Sequence, residues 1–252
     1  MTIICRRCLF VFLSLFVFAC SKEEDNTPTK PKPNVTPDCY ERDTSFTDQL
    51  PNMNFESWGY PDSSEGKYQE PCGGVWASSN PVSVSFTGAK SSMPSGSAQQ
   101  GDYGVEIKTN SLLGPVIMPG ILFTGRYKSY NFSGLDVQKN AEFGVPFTFK
   151  PKNIEGFFKY SSVNSDSAYA LVLLTKYNTS LKTKDTIGFG DFTILNSVNS
   201  YTSFSISIDY SYSSGAETPD SILLLFASSK GALDLVGQPG STLTVDNCVF
   251  VY

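Results

Sequence analysis

Phe204-Ser205-Ile206-Ser207-Ile208-Asp209-Tyr210-Ser211-Tyr212 alternates an apolar side chain with a small or charged one along its whole length. A period of two puts Phe204, Ile206, Ile208, Tyr210 and Tyr212 on one face of an extended strand and the polar residues on the other. A helix would scatter the same residues around its axis, so the stretch predicts a half-buried strand. The same alternation recurs upstream: Tyr103, Val105 and Ile107 against Gly104, Glu106 and Lys108, and Val82, Val84 and Phe86 against Ser83 and Ser85, both read as strands. Ile121-Leu122-Phe123, Phe147-Thr148-Phe149 and Phe157-Phe158-Lys159-Tyr160 follow, separated by Gly and Pro turns. Tyr169 to Leu174 and Ile222 to Phe226 are continuous apolar runs, suited to central strands covered on both faces, with a short buried helix as the alternative. The chain closes on a β-rich stretch from Leu243 to Tyr252. About nine or ten such strands predict an all-β fold, a two-sheet jelly-roll β-sandwich.

Composition agrees with that class. The chain carries 20 Gly and 15 Pro and shows no long apolar stripe of helical period. Its 252 residues, 40% of them hydrophobic, suffice for one core of roughly 200 residues. Lys and Arg number 19 against 24 Asp and Glu, a net charge of −5; without Arg6 and Arg7 the balance is 17 against 24, or −7. No basic surface for nucleic acid follows from that balance. His is absent, which removes Ser-His-Asp and Cys-His catalysis and the commonest zinc ligand.

The N-terminus reads as an export signal. Arg6 and Arg7 precede an apolar run from Leu9 to Phe18, long enough for a signal peptide and short of the ~20 residues of a membrane span. The run ends in Val17-Phe18-Ala19-Cys20, which resembles a bacterial lipobox, so residues 1–19 are expected to be removed and Cys20 to carry lipid. Ser21-Lys22-Glu23-Glu24-Asp25 resembles the acidic signal that sends some Gram-negative lipoproteins to the outer cell face, the alternative being a solvated charge run. Prolines 28, 31, 33 and 37 make residues 20–38 an extended tether. The expected location is therefore the outer membrane, lipid-anchored and facing the exterior, with the folded domain over residues 39–252.

Cys5 and Cys8 form a C-x-x-C that lies in the leader. With Cys20 lipidated, Cys39, Cys72 and Cys248 remain, so at most one disulfide forms among three possible pairings. Cys39–Cys72 is preferred, because it would pin the start of the domain to the stretch that holds both tryptophans.

That stretch, Asn54 to Asn80, is the candidate ligand site. Aromatic rings stack on sugar faces while neighbouring amides and carboxylates bond the hydroxyls, which nominates Trp58, Tyr60, Trp76 and Asn80. Trp58 and Trp76 could equally be core residues at a sandwich corner, and their burial discriminates the two readings. No G-x-S-x-G, P-loop or H-E-x-x-H occurs, and no motif pairs two carboxylates at glycosidase spacing. Three function classes stay open: a glycan-binding module, a structural or adhesive surface module, and a carbohydrate-active hydrolase using two carboxylates.

Phe55-Glu56-x-Trp58, Trp76-x-Ser78-Ser79-Asn80, Gly104-Val105-Glu106-Ile107-Lys108-Thr109, Pro119-Gly120-x-Leu122-Phe123-Thr124-Gly125, Gly144-x-Pro146-Phe147-Thr148, Phe158-Lys159-Tyr160 and Gly240-Ser241-x-Leu243-x-Val245-Asp246-Asn247 run in order along the chain. Together they resemble the carbohydrate metabolism domain (PCMD) of bacterial surface lipoproteins. The resemblance implies a galactose-binding-like jelly roll akin to carbohydrate-binding modules; the first of the three function readings adds a glycan as ligand and surface glycan-uptake proteins as partners. The resemblance also implies a structural Ca2+ flanked by an early and a late strand, which nominates Glu56 and Asp246; calcium takes oxygen ligands, and this His-free chain supplies them. Val75 departs from the pattern, which often has a second aromatic before Trp76.

Overall fold

Short strands come first and long ones after. The computed structural model describes residue 39 and residues 47–112, 116–128, 137–213 and 217–252. The expected leader, Cys20 and the tether to residue 38 lie outside the described residues. β1 (Trp58–Gly59) pairs antiparallel with β2 (Glu70–Pro71), and β3 (Trp76–Ser78) leads into helix α1 (Asn80–Thr87). β4 (Ser92–Ser95) and β5 (Gly104–Lys108) pair next, then β6 (Asn110–Ser111) with β7 (Ile117–Met118). β8 (Ile121–Tyr127) precedes α2 (Val137–Asn140), β9 (Ala141–Phe143) and β10 (Val145–Pro146). The long strands are β11 (Asn153–Ser161), β12 (Ala168–Asn178), β13 (Thr183–Ile194), β14 (Val198–Ser207), β15 (Ser221–Ala227) and β16 (Thr242–Val251).

Apart from the β1–β2 and β6–β7 pairs, the strands form the two sheets of a jelly-roll β-sandwich. One is seven-stranded, ordered β13-β12-β15-β8-β3 with β10 on β15 and β9 on β8; the other is five-stranded, ordered β14-β11-β16-β5-β4. Non-consecutive neighbours such as β5 and β16 carry the first part of the chain against the last.

Period-two parity builds the core between the sheets. Val105, Ile107, Ile154, Phe158, Phe204, Ile206, Leu243 and Val245 point inward from the five-stranded sheet, and Val172, Leu174, Ile222, Leu224 and Phe226 from the other. The unbroken apolar runs of β12 and β15 follow from a second cluster on the far side of the seven-stranded sheet, where Phe123, Tyr127, Val137 and Leu225 are buried and Leu171 and Leu223 pack partly. Each fully buried large side chain contributes ~1.5–3 kcal/mol.

The stretch from Phe204 keeps its alternation but changes sheets. Through Ser207 it pairs with β11; beyond it, Asp209 bridges Phe189 of β13 in the other sheet. Ile208 is still buried, while Tyr212 has turned to solvent.

Two expected strands take other forms. Val82 to Phe86 lies in α1, not in a strand. Pro81 sits in the first turn, where a missing N–H costs no hydrogen bond, and Gly88 ends the helix at φ 71°. The alternating serines that mimic a strand fit within the helix, Ser85 donating to the Pro81 carbonyl at 2.6 Å and Thr87 to that of Ser83 at 2.7 Å. Phe147-Thr148-Phe149 lies outside any strand; Phe147 is buried, 5.4 Å between ring centres from Phe250. Cys39 and Cys72 are joined by a disulfide, the Gly73 amide donates to the Cys39 carbonyl, and Cys248 is a buried free thiol.

Candidate functional site

Trp58 and Trp76 lie in the core, not on an exposed stacking surface. Trp58 is fully buried with its indole N–H donating to the Phe55 carbonyl at 2.6 Å; Trp76 donates to the Pro51 carbonyl at 2.9 Å and packs against the Phe55 ring at 5.2 Å. The expectation of a stacking surface is corrected at both residues: a ring rich in apolar area gains more from the inter-sheet core than from solvent. Asn80 is likewise buried, and its side chain organises the turn before β4. Its Oδ1 accepts from the Ser91 and Ser92 amides at 2.8 and 3.0 Å, and its Nδ2 donates to the Ser92 carbonyl at 2.8 Å. Asn80 therefore has no free hydrogen-bonding face for a ligand. Of the four nominated contacts only Tyr60 is exposed, at 42%.

Glu56 and Asp246 come together through a latch loop. Asp246 accepts from the amides of Gln99 and Gln100 at 2.6 and 3.2 Å, while Glu56 accepts from those of Asp102 and Tyr103 at 3.0 to 3.3 Å. Gly101, at φ 75°, has no room for a Cβ, which would collide with the Glu56 carboxylate. Asp246 is wholly buried and its Oδ1 has no hydrogen-bond partner among the described residues. Burial foremost, and also the Glu56 charge, raise the Asp246 carboxyl above its usual range against the backbone donors that lower it.

The outward face of the five-stranded sheet adjoins this latch. Period two in β11 turns Ile154, Phe158 and Tyr160 inward and leaves Glu155, Phe157 and Lys159 outward and partly exposed. Phe157 stands opposite Ser203 on β14 and Asp246 on β16. Lys159 lies 4.7 Å over the Tyr201 ring and donates to Ser97 Oγ at 2.6 Å; the Tyr201 hydroxyl donates to the Ser97 carbonyl at 2.5 Å. Burial, then the Asp246 charge, push that hydroxyl above its ordinary range, so it stays a protonated donor. Gly104 lets the groups converge, since a Cβ there would stand 3.1 Å from Tyr201 Oη and 3.3 Å from Asp246 Cβ. A hollow of about 180 Å³ continues the face past Lys159, lined by Ser161, Asn199, Thr242 and Thr244. Aromatic, cationic and hydroxyl groups thus share one open surface, a combination suited to a polyhydroxylated ligand.

The residue pattern held a signal for this face. Adjacent Phe157 and Phe158 cannot both point inward from a strand, and Tyr201 has the phase opposite to Phe204, so one ring on each strand must face out.

The architecture is that of a jelly-roll β-sandwich domain with aromatic side chains on one outer face. The chain belongs to the family described as "Putative carbohydrate metabolism domain" (PCMD), whose family model matches residues 52–251. Comparison with curated proteins gives no significant match. Among solved structures, a "putative glycoside hydrolase" from Bacteroides thetaiotaomicron aligns at TM-score 0.69 and 18% identity, covering 84% of this chain and 72% of the other. A second protein so described, from Bacteroides vulgatus, aligns at TM-score 0.63 and 19% identity, covering 79% and 96%. At such identities the likeness establishes the shared fold.

Proposed function

We propose that this chain is a surface lipoprotein whose jelly roll binds glycan chains along the outward face of the five-stranded sheet. The observation that carries the reading is the open surface where Phe157, Lys159 and Tyr201 adjoin the hollow lined by Asn199, Thr242 and Thr244. Rings stack on sugar faces, and the Lys, Thr and Asn groups bond hydroxyls along an extended chain. The expected location at the outer membrane is supported by the apolar run ending at Cys20 and by the proline-rich spacer after it. From that position the domain would hold polysaccharide close to surface glycan-uptake proteins.

We also propose a structural calcium ion at the latch. The buried, unpartnered Asp246 Oδ1 and the adjacent Glu56 charge are two like-charged oxygen donors that a hard divalent cation would satisfy together. Among the described residues no group of three or more His, Cys, Asp or Glu surrounds them, so carbonyl oxygens of the latch loop would complete the shell. The ion would fix the loop beside Tyr201 and take no part in any reaction.

Glycan arrays and affinity gels test the binding claim. Wild type is expected to retain a polysaccharide that Phe157→Ala and Lys159→Ala release while their melting temperatures stay near wild type. Equal retention by both variants would refute the assignment to this face.

A further inference from the structure

A second hollow lies beyond the edge of the seven-stranded sheet, away from the face just described. It measures about 150 Å³ between β2, β3 and β8, with Tyr68, Trp76 and Tyr127 as aromatic walls, Glu70 inside and Arg126 among its lining residues. The wall groups have their polar atoms engaged inside the protein: the Trp76 N–H on the Pro51 carbonyl and the Tyr127 hydroxyl on the Ser78 carbonyl at 2.7 Å. Glu70 is only 4% exposed, and Ser78 Oγ donates to its Oε1 at 2.6 Å. A neighbouring hollow of about 280 Å³ shares Arg126 and is lined by Glu142, Lys184, Asp220 and Ser221. Arg126 is held by Glu142 at 2.8 Å.

We propose that the Glu70 hollow is a second sugar site, a pocket that receives the uncharged terminal residue of a glycan while the penultimate residue lies in the Glu142–Asp220 recess. Size, walls and polarity point the same way. The pocket has room for roughly five waters at ~30 Å³ each, the class of one pyranose ring. Tyr68, Trp76 and Tyr127 line it, and beside them stands the Glu70 carboxyl. Burial raises that carboxyl to about 8, so at neutral pH it is a neutral acid that both donates and accepts, as a sugar hydroxyl does. The adjoining recess sets the Glu142 and Asp220 carboxylates against Arg126 and Lys184, a lining without net charge. The other titratable groups around the pocket are Tyr68, Tyr127, Arg126 and Glu142. This site takes a chain end and does not require the Phe157–Tyr201 face to bind.

Calorimetric titration of the whole folded protein with neutral monosaccharides and short oligosaccharides tests the proposal. Wild type is expected to bind at least one neutral sugar at pH 6, with affinity falling roughly tenfold per unit above about pH 8 as Glu70 ionises. Glu70→Gln should flatten that profile, Arg126→Ala at the exposed mouth should weaken oligosaccharides more than monosaccharides, and Phe157→Ala should leave monosaccharide binding intact. No neutral sugar bound by wild type at pH 6, no loss of affinity above pH 8, or monosaccharide binding abolished by Phe157→Ala would overturn it. Should Glu70→Gln fail to fold, the wild-type pH profile and Arg126→Ala still decide.

Discussion

Glu70 and Asp246 are buried carboxyls that solvent would ordinarily hold ionised, and both make the fold sensitive to pH. In the unfolded chain Glu70 titrates near 4.5, in the folded protein near 8, because burial outweighs the hydrogen bonds from Ser78 and Asn80. Between those values the folded state binds the extra proton, so stability is full below the lower value, falls as pH rises through the window and levels off above about 8. The expected slope is at most about 1.4 kcal/mol per unit. Denaturant midpoints measured from pH 5 to 9 should fall, and Glu70→Gln should make the fall shallower; a wild-type midpoint that rises with pH would contradict the assignment. Asp246 adds a contribution of the same sign. If calcium occupies the latch, excess calcium stabilises by about 2.7 kcal/mol at a hundred times its dissociation constant. The melting temperature should rise accordingly, and Asp246→Asn should abolish the response while an unresponsive wild type would remove the ion from the account.

At the scale of elements, the stretch from Asn54 to Asn80 is architecture. Phe55, Trp58 and Trp76 fill the corner where β1 and β3 meet the core, and Cys72 ties that corner to Cys39. Trp58→Ala should therefore cost about 3–5 kcal/mol of stability in denaturant unfolding, whereas Tyr201→Ala, on a partly exposed ring, should cost far less and impair glycan binding. Equal destabilisation would contradict the division of roles. The strands with inward parity, Val105–Ile107, Phe158–Tyr160, Phe204–Ile208 and Leu243–Val245, were legible because alternation is a local property that one buried face enforces. Val82 to Phe86 carried the same alternation and became a helix, since Pro81 and Gly88 set its ends and only its first turn is buried. Trp58 and Trp76 were legible as important and illegible in role: which way a ring faces on a two- or three-residue strand depends on long-range contacts, such as those with Pro51 and Phe55. Phe157 and Tyr201 were readable from strand phase but lie 77 and 121 residues beyond Asn80, the end of the stretch that attracted attention.

For the whole molecule, the proposal joins a tether to a two-sheet scaffold whose inner faces make the core, with glycan taken on an outer face. Labelling cells with palmitate should mark wild type and spare Cys20→Ala; equal labelling would remove the anchor and leave the binding domain to be explained without a membrane. The central claim, however, is the location of the glycan on the five-stranded sheet. Hydrogen–deuterium exchange of the folded protein, with and without a polysaccharide retained on affinity gels, reads that location directly. The account predicts slowed exchange in β11, the start of β14, the start of β16 and the loop from Ser97 to Tyr103, whatever the Glu70 hollow adds on β3 and β8, and unchanged exchange across the five-stranded sheet would contradict it.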